Sequence, residues 1–436
     1  MTIVLLSGGS GKRLWPLSND TLSKQFLKLL KNDSGEYESM VQRVMRQHKA
    51  ANPDANMFVS CNMAQNDTLQ RQLGKVETIL EPSRRDTFPA IALAAAYLRY
   101  AKQMDENEVF VVCPIDVFAE SKYFKLLSQV SNLVESGGNE IGLLGVTPTF
   151  PTEKYGYILQ NNGAITGFVE KPPTEDAVRL ISGGALWNCG VFALKVGYVL
   201  SHAREYAEFD SFESLYNQFD KLPRISFDYE VVEKEPSIGV VTYDGVWKDL
   251  GTWNTLTEEM TDTWLGKNVL ISDSCEGTHV LNMLNIPVVA QDLKDMVVVA
   301  SYDGILVTSK HGSSFIKPLA DQINLRPMYE QRKWGNYRVL DYKQSNDGIS
   351  SLVKRMHIDA GKSISYQYHS FRSETWVVVS GKGILTVDDV DSVASPGSVI
   401  TISKESRHSI LAATDMEFIE VQLGEGEIEE EDIVRV

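Results

Sequence analysis

Cysteine is scarce in this 436-residue chain: Cys61, Cys113, Cys189 and Cys275 lie far apart and form no CxxC pair. That argues against a disulfide framework and a thiolate zinc site, and for a reducing compartment. Long apolar runs are missing too. No stretch approaches the ~20 residues that span a bilayer. The start, MTIVLLSGGSGKR, lacks a basic leader and is apolar only from Ile3 to Leu6, so it does not read as a signal peptide. Positive charge is in deficit, with 42 Lys and Arg against 58 Asp and Glu and a net charge of -16. Tracking nucleic acid needs clustered positive charge, which argues against that class. Small anionic substrates stay open wherever a few Arg and Lys are focused. What is there, 43% hydrophobic and 23% charged residues, matches an ordinary globular chain rather than a disordered or fibrous one. The length is about three times the ~150 residues of one domain. The expectation is a soluble, cytoplasmic protein of two or three domains with no nucleic-acid or membrane partner.

Up to about residue 260, buried-strand runs (Ile3–Leu6, Val109–Cys113, Ile141–Val146) alternate with helical patterns such as Ala90–Met104. Continuous apolar strands separated by helices indicate an α/β fold with a mixed, mainly parallel sheet of Rossmann-like type. After Trp264 the segments become short and β-prone, and Lys317–Arg326 reads as a connector. From Trp334 onward nearly everything alternates or is β-branched, as in Ser351–Met356, Thr375–Val379 and Ser398–Ile402. Even spacing and glycine turns predict a small β-barrel or jelly roll. The run Gly424–Asp432 is strongly acidic and reads as a solvated surface segment. Expected domains are 1–262, a β-rich connecting segment 263–325, and 326–436.

The first apolar run ends in Ser7-Gly8-Gly9-Ser10-Gly11-Lys12-Arg13, a turn whose backbone N–H groups can cradle phosphate oxygens. It is no Walker A loop, because Arg13 stands where Ser or Thr should hold magnesium, and Leu14 breaks GxGxxG. Arg13 and Lys24 beside such a cradle can neutralise triphosphate charge. The continuation Arg13-Leu14-Trp15-Pro16-Leu17-Ser18, then Lys24-Gln25-Phe26-Leu27, resembles the signature GGxGxRLWPLS…KQFL of sugar-1-phosphate nucleotidyltransferases. The resemblance is greatest to mannose-1-phosphate guanylyltransferases carrying a fused isomerase domain. Further matches cover nearly the whole chain: Glu81–Ile91 (EPSRRDTFPAI), Cys113-Pro114-Ile115-Asp116, Tyr155-Gly156-Tyr157-Ile158, Phe168-Val169-Glu170-Lys171-Pro172, Trp187–Phe192, Asp228-Tyr229 with Glu233-Lys234, and Trp247–Trp253 (WKDLGTW).

The resemblance implies roles that the residue chemistry suits. Asp116 and Asp249 would hold Mg2+, a hard cation that takes carboxylates and phosphates. Gly8, Gly9 and Gly11 would cradle the nucleotide. Glu81, followed by Pro82, would accept guanine's adjacent N–H donors; a helix-flanking surface Glu is the plain alternative. Lys171 suits the sugar phosphate, while Glu170 and Asn188, near Gly156, suit sugar hydroxyls. Arg84, Asp86 and Phe88 depart from the family pattern and weaken the base assignment. Val117 replaces a His, and Asn19 an Arg.

In the last third, Gln367, His369, Arg372 and Glu374 precede Gly381, and Pro396-Gly397 precedes His408. This resembles the two cupin motifs. Gln367 and His369, two apart on a strand, point to one face. Gln367, His369, Glu374 and His408 form an N/O set that suits Zn2+ or a similar divalent ion. The isomerase half of the family carries a segment like QMHHHRxEHW, in which Ser370, Phe371 and Thr375 here replace three histidines. Lys333 stands where a proline is common. Arg372 is the candidate for binding phosphate or stabilising an enediolate, and no proton-transfer base is evident. His357 reads as a surface residue, and His48, His202, His279 and His311 as structural.

The leading expectation is a bifunctional enzyme. GTP and mannose 1-phosphate would give GDP-mannose and pyrophosphate, and the cupin would interconvert mannose 6-phosphate and fructose 6-phosphate. A homodimer or larger homo-oligomer is implied by the resemblance. Two alternatives stay open: another sugar 1-phosphate or NTP with a silent cupin, or a sugar-nucleotide-binding regulator without turnover.

Overall fold

The apolar runs through Tyr243 pair into one nine-stranded sheet. In chain order its strands are β1 (Thr2–Leu6), β2 (Asn56–Asn62), β3 (Glu77–Glu81), β4 (Val109–Pro114), β5 (Ile141–Val146), β6 (Tyr157–Asn161), β7 (Ala164–Val169), β8 (Leu186–Lys195) and β9 (Ile238–Tyr243). The computed structural model describes the chain except residues 9, 10, 20, 162, 163, 346, 347, 427 and 429–431, and the side chains at 11 and 164. β1 lies between β2 and β4, parallel to both, and β3 continues the parallel block beyond β2. β8 runs antiparallel to β4, β5 and β6, whereas β9 is parallel to β5. The sheet is therefore mixed, with its parallel block at the β1 side. Ile3, Val4 and Leu5 of β1 and Val111 and Val112 of β4 are fully buried. Both sheet faces are covered, which is why these strands show no polar alternation.

Helix α1 (Met40–Ala51) starts on a capping box between Ser39 and Gln42 and buries Val41, Val44, Met45 and His48. Helix α2 (Thr87–Ala96) begins at Thr87, ahead of the expected Ala90. Pro89 falls in its first turn, where a missing N–H costs no helical hydrogen bond. Asp86, one of the family departures, is the N-cap: its φ is +75 and its carboxylate accepts from Thr87 N at 2.8 Å. Beyond Ala96 the helix widens into a π turn over Tyr97–Ala101.

Contacts divide the chain into two compact units, the first made of Met1–Leu14 and Ser23–Thr263, the second of Trp15–Leu22 and Trp264–Val436. The second unit opens with a coil of short strands: β10 (Trp264–Gly266), β11 (Val269–Ile271), β12 (His279–Asn282), β13 (Val288–Ala290), β14 (Met296–Ser301) and β15 (Gly304–Ser309). The β10–β12, β12–β14 and β11–β13 ladders are parallel, and β15 folds back antiparallel on β14. Val280, Ala290 and Val298 fill the coil. Trp15–Leu22 packs within this unit. Ser301 Oγ donates to the Pro16 carbonyl at 2.7 Å, and Asn19 Nδ2 to Asp303 Oδ2 at 2.7 Å. The expected connector contains a short helix, Lys317–Ala320.

The rest is a cupin-type double sheet. Its strands are β16 (Tyr329–Arg332), β17 (Gly335–Gln344), β18 (Ile349–Ile358), β19 (Gln367–His369), β20 (Arg372–Ser380), β21 (Gly383–Val387), β22 (Val390–Ala394), β23 (Val399–Ile402), β24 (His408–Ala412), β25 (Met416–Glu425) and β26 (Ile433–Arg435). One sheet has the order β16-β17-β18-β25-β20-β23 and the other β22-β21-β24-β19-β26. Trp376, Phe418, Ile410, Leu385 and Met416 make the core between them. Alternate residues of β18 are buried, as a strand with one core face requires.

Candidate functional site

In the first unit, the parallel strands β1, β2, β3 and β4 deliver their carboxyl ends to one sheet edge, the usual ligand edge of α/β folds. Ser7 and Gly8 follow β1, and a 3-10 turn over Gly11–Leu14 carries Arg13. A Cβ on Gly8 would meet nothing within 4 Å, so the protein itself does not fill that space. Gly9 lies outside the described residues. Ser7 is held by its N–H to the Ser60 carbonyl at 2.8 Å and by Gln25 Nε2 to its Oγ at 3.1 Å. Glu81 ends β3 and accepts from Ser60 Oγ at 2.9 Å. Burial raises its pKa, with Ser60 and Arg84 opposing.

Asp116 follows β4. Asp249 reaches it through a short antiparallel ribbon, Val117–Ala119 against Trp247–Asp249, in which Asp249 stands opposite Val117. Lys24 Nζ lies 2.9 Å from Asp116 Oδ2 and 2.8 Å from Asp249 Oδ1. Burial would pull the Lys24 ammonium down, but the two carboxylates outweigh it and raise its pKa. Burial likewise opposes the charge on Asp249, yet Lys24, with Arg13 and Lys154 behind it, holds that carboxyl below its ordinary range. A Cβ on Gly251 would stand 3.1 Å from Asp249 Oδ2, so glycine leaves the carboxylate room. Two carboxylates converging on one point fit a hard divalent cation.

Gly156, Glu170, Lys171 and Asn188 form a second group in the same unit. A Cβ on Gly156 would press on Glu170 Oε2 and the Phe168 ring, so glycine there lets both side chains lie where they do. Lys171, at φ +47, bonds Glu170 through its Nζ. The β8 register shifts between Asn188 and Phe192, and Asn188 Nδ2 there donates to Asp228 Oδ1 at 2.6 Å. Tyr155 packs edge-on against Trp187 (5.2 Å) and Trp247 (5.1 Å). This aromatic wall places the neighbours of Gly156 and Asn188 beside the ribbon that carries Asp249.

The cupin group is buried. His369 Nε2 is 3.0 Å from Glu374 Oε1, and His408 Nε2 is 3.6 Å from Glu374 Oε2. The three ligand atoms of His369, Glu374 and His408 lie within 4.8 Å of one another, a group that could hold a metal ion. Both imidazoles are oriented for it. His369 Nδ1 faces the Asp432 carbonyl at 3.3 Å and His408 Nδ1 the Ser406 carbonyl at 2.9 Å. Carbonyls only accept, so both Nδ1 atoms donate outward and both Nε2 atoms turn inward toward Glu374, the atoms a metal would use. His408 Nε2 is buried with no hydrogen-bond partner, as a ligand atom would be. Gln367 pairs with His408 across β19 and β24, and its Oε1 accepts from Ser365 Oγ at 2.9 Å. Burial raises the pKa of Glu374, but His369, His408 and Arg372 outweigh it and the net direction is down. Burial lowers that of His408 despite Glu374.

Two expectations need correction here. Arg372 is 3% exposed and is spent within the site: its Nε donates to Glu374 Oε1 at 3.1 Å and its Nη1 pairs with Asp432 at 3.5 Å. It clamps the Glu374 carboxylate and is not open to receive a phosphate. The acidic run ends inside the site, because Asp432 also accepts from Ser370 N at 3.0 Å. β26 then pairs with β19 and fixes it there. His357 keeps 29% of its exposure, with Asp359 at 3.3 Å from its Nε2, in keeping with a surface position. Sequence reasoning also missed Gln422, whose Nε2 donates to Glu374 Oε1 (3.2 Å) and Glu420 Oε2 (3.0 Å), and Trp376, which donates to Glu374 Oε2 at 3.1 Å. Burial first, then the Glu374 charge, raises the pKa of Glu420. Polar residues on the inward face of β25 were the available signal.

No helix is long and apolar enough to cross a membrane among the described residues. Residues 2–264 match the nucleotidyl transferase family and residues 324–436 the mannose-6-phosphate isomerase C-terminal family. The xanthan biosynthesis protein XanB of Xanthomonas campestris pv. campestris strain B100 is 30% identical, with 99% of this chain and 97% of that protein covered. The mannose-1-phosphate guanylyltransferase of Escherichia coli K12 is 28% identical over 99% and 97%. A solved structure described as a mannose-1-phosphate geranyltransferase from Thermus thermophilus superposes with a TM-score of 0.61 at 25% identity, covering 74% of this chain and 99% of that one. The chain belongs to the nucleotidyl transferase family, in its group of mannose-1-phosphate guanylyltransferases that end in a mannose-6-phosphate isomerase C-terminal domain.

Proposed function

We propose that the first unit transfers GMP from GTP to mannose 1-phosphate. The bridging of Asp116 and Asp249 by Lys24, at the strand edge that also carries the glycine turn, supports this reading most. Mg2+ held by Asp116 and Asp249 would neutralise phosphate charge and orient the triphosphate for in-line substitution. The amides at Gly8 and Gly11, with Arg13 and Lys24, offset charge growing at the α-phosphorus. The phosphate of mannose 1-phosphate attacks there and pyrophosphate leaves. That phosphate is already ionised, so no protein nucleophile is needed, and positioning with electrostatics carries the rate. Glu81, beside Pro82, accepts from guanine; Lys171 takes the phosphate of the sugar, while Glu170 and Asn188, near Gly156, take its hydroxyls. Residues 1–262, 263–325 and 326–436 act as transferase, connecting coil and cupin, and the protein works in the cytoplasm.

For the cupin, Gln367, His369, Glu374 and His408 would hold Zn2+ or a similar ion, which would polarise a sugar oxygen during mannose 6-phosphate and fructose 6-phosphate interconversion. A metal-holding but silent cupin is the second reading. The commitment of Arg372 to Glu374 and Asp432 favours it, as do Phe371 and Thr375, which cannot shuttle protons as imidazoles do. One experiment separates the readings: pyrophosphate release across matched NTP and sugar 1-phosphate pairs, with metal content by mass spectrometry and isomerisation after metal titration. GTP with mannose 1-phosphate should lead; a clear preference for another pair overturns the substrate assignment. Stoichiometric metal without isomerisation leaves the silent cupin.

A further inference from the structure

Asp228 lies in none of the roles above, although it belongs to a matched motif. Asn188 Nδ2 donates to its Oδ1 at 2.6 Å, and Asn188 Oδ1 is itself held by the Gly190 N–H at 3.1 Å. The amide is thus turned toward Asp228 from both ends. Asn188 N–H donates to the Gly156 carbonyl at 2.8 Å, and Gly156 is the glycine that gives Glu170 its space. Glu170, Asp228, Asn188 and Gly156 are one connected corner, with Lys171 bonded to Glu170 and lying 6.0 Å from the Tyr229 ring. Resting on the sugar 1-phosphate reading, we propose that Asp228 is a specificity-determining residue that, beside Glu170, accepts from hydroxyls of the sugar ring.

The two carboxylates attract hydroxyl hydrogens, so the ligand chemistry they select is a polyol, with the Lys171 ammonium left for its phosphate. Asn188 spends one donor on Asp228 and one acceptor site on Gly190, so it holds the acid and keeps a second N–H for a sugar hydroxyl. Burial first, and the Glu170 charge second, push the Asp228 carboxyl up to about 7. A group so placed gains from any donor a ligand brings. Asp228 is half-buried, not sealed, and so remains open to a ligand.

The test uses the full chain, with pyrophosphate release from GTP and mannose 1-phosphate and a set of monodeoxy mannose 1-phosphates. Asp228→Ala should raise the KM for the sugar about tenfold or more, the size of a hydrogen bond to a charged group. KM for GTP should stay within about twofold. One monodeoxy analogue should lose similarly with the wild type and lose nothing further with Asp228→Ala. Asp228→Asn, which keeps the shape, guards against misfolding: a misfolded protein loses GTP binding as well, and the isosteric variant should still show the sugar-only defect. An unchanged sugar KM in both variants, or losses that stay additive for every analogue, overturns the assignment. Wild-type inertness toward every pair sinks the parent reading and this one with it; an active wild type with unmoved variants sinks this one alone.

Discussion

In the first unit, Asp116 and Asp249 share one lysine ammonium, and the three side chains keep 18 to 35% of their exposure. In the second, Glu374, His369 and Arg372 keep 2 to 3%. The open pair sits near water, where a flexible lysine can hold two carboxylates apart and then give way to a stronger cation at modest cost. The buried group has no such freedom. Its charges must be matched in place, so Arg372, Gln422 and Trp376 all donate to Glu374, and both imidazoles are locked by backbone carbonyls. On the proposed reading, a site that turns over substrates bringing their own charge is left open, and a site that would keep an ion is prebuilt.

The largest way to break this comparison is Asp249→Asn. Nucleotidyl transfer should fall by roughly a hundredfold to a thousandfold, while the metal content of the cupin stays unchanged. Near-normal GDP-mannose formation at ordinary magnesium would remove Asp249 from the ligand role. Gln422→Leu sharpens the other side. Losing the amide between Glu374 and Glu420 should weaken cupin metal binding by about tenfold to a hundredfold, read by competition with a chelator, with nucleotidyl transfer intact. An unchanged affinity would show that Arg372 and Trp376 suffice to hold Glu374.

The smallest effect concerns stability. His48 is fully buried with both ring nitrogens unpartnered, and burial lowers its pKa from 6.5 to about 4. The unfolded chain takes up the proton first, so this contribution is complete above about pH 6.5 and is lost as pH falls toward 4. His48→Phe should flatten the acid loss of the first unit's stability by about 2–3 kcal/mol between roughly pH 7 and 4.5, measured by urea unfolding. A variant with the wild-type slope would place the acid sensitivity elsewhere. His279 in the second unit, also lowered to about 4 by burial, should leave that unit's transition acid-sensitive in the same variant.

Local sequence carries what is local. Apolar runs name β1 and β4, Ser39 with Gln42 starts α1, and the glycine turn with Arg13 and Lys24 announces phosphate chemistry. QxH spacing places Gln367 and His369 on one face because a strand repeats every two residues. Contacts that join distant parts of the chain leave no such trace. Asp249 meets Lys24 because a three-residue ribbon pairs it opposite Val117, and Asp432 reaches Arg372 because β26 pairs with β19. Asn188 turns to Asp228 through a register shift in β8. Trp15–Leu22 leaves the first unit for Ser301 and Asp303 without any change in its composition. Sequence alone determined the fold class, the family and which residue types could do the chemistry, because periodicity and motif spacing are properties of neighbouring residues. Which carboxylates share Lys24, which arginine is already engaged and which acid faces Asn188 were decided by ladder register and burial, which exist only once the strands have paired.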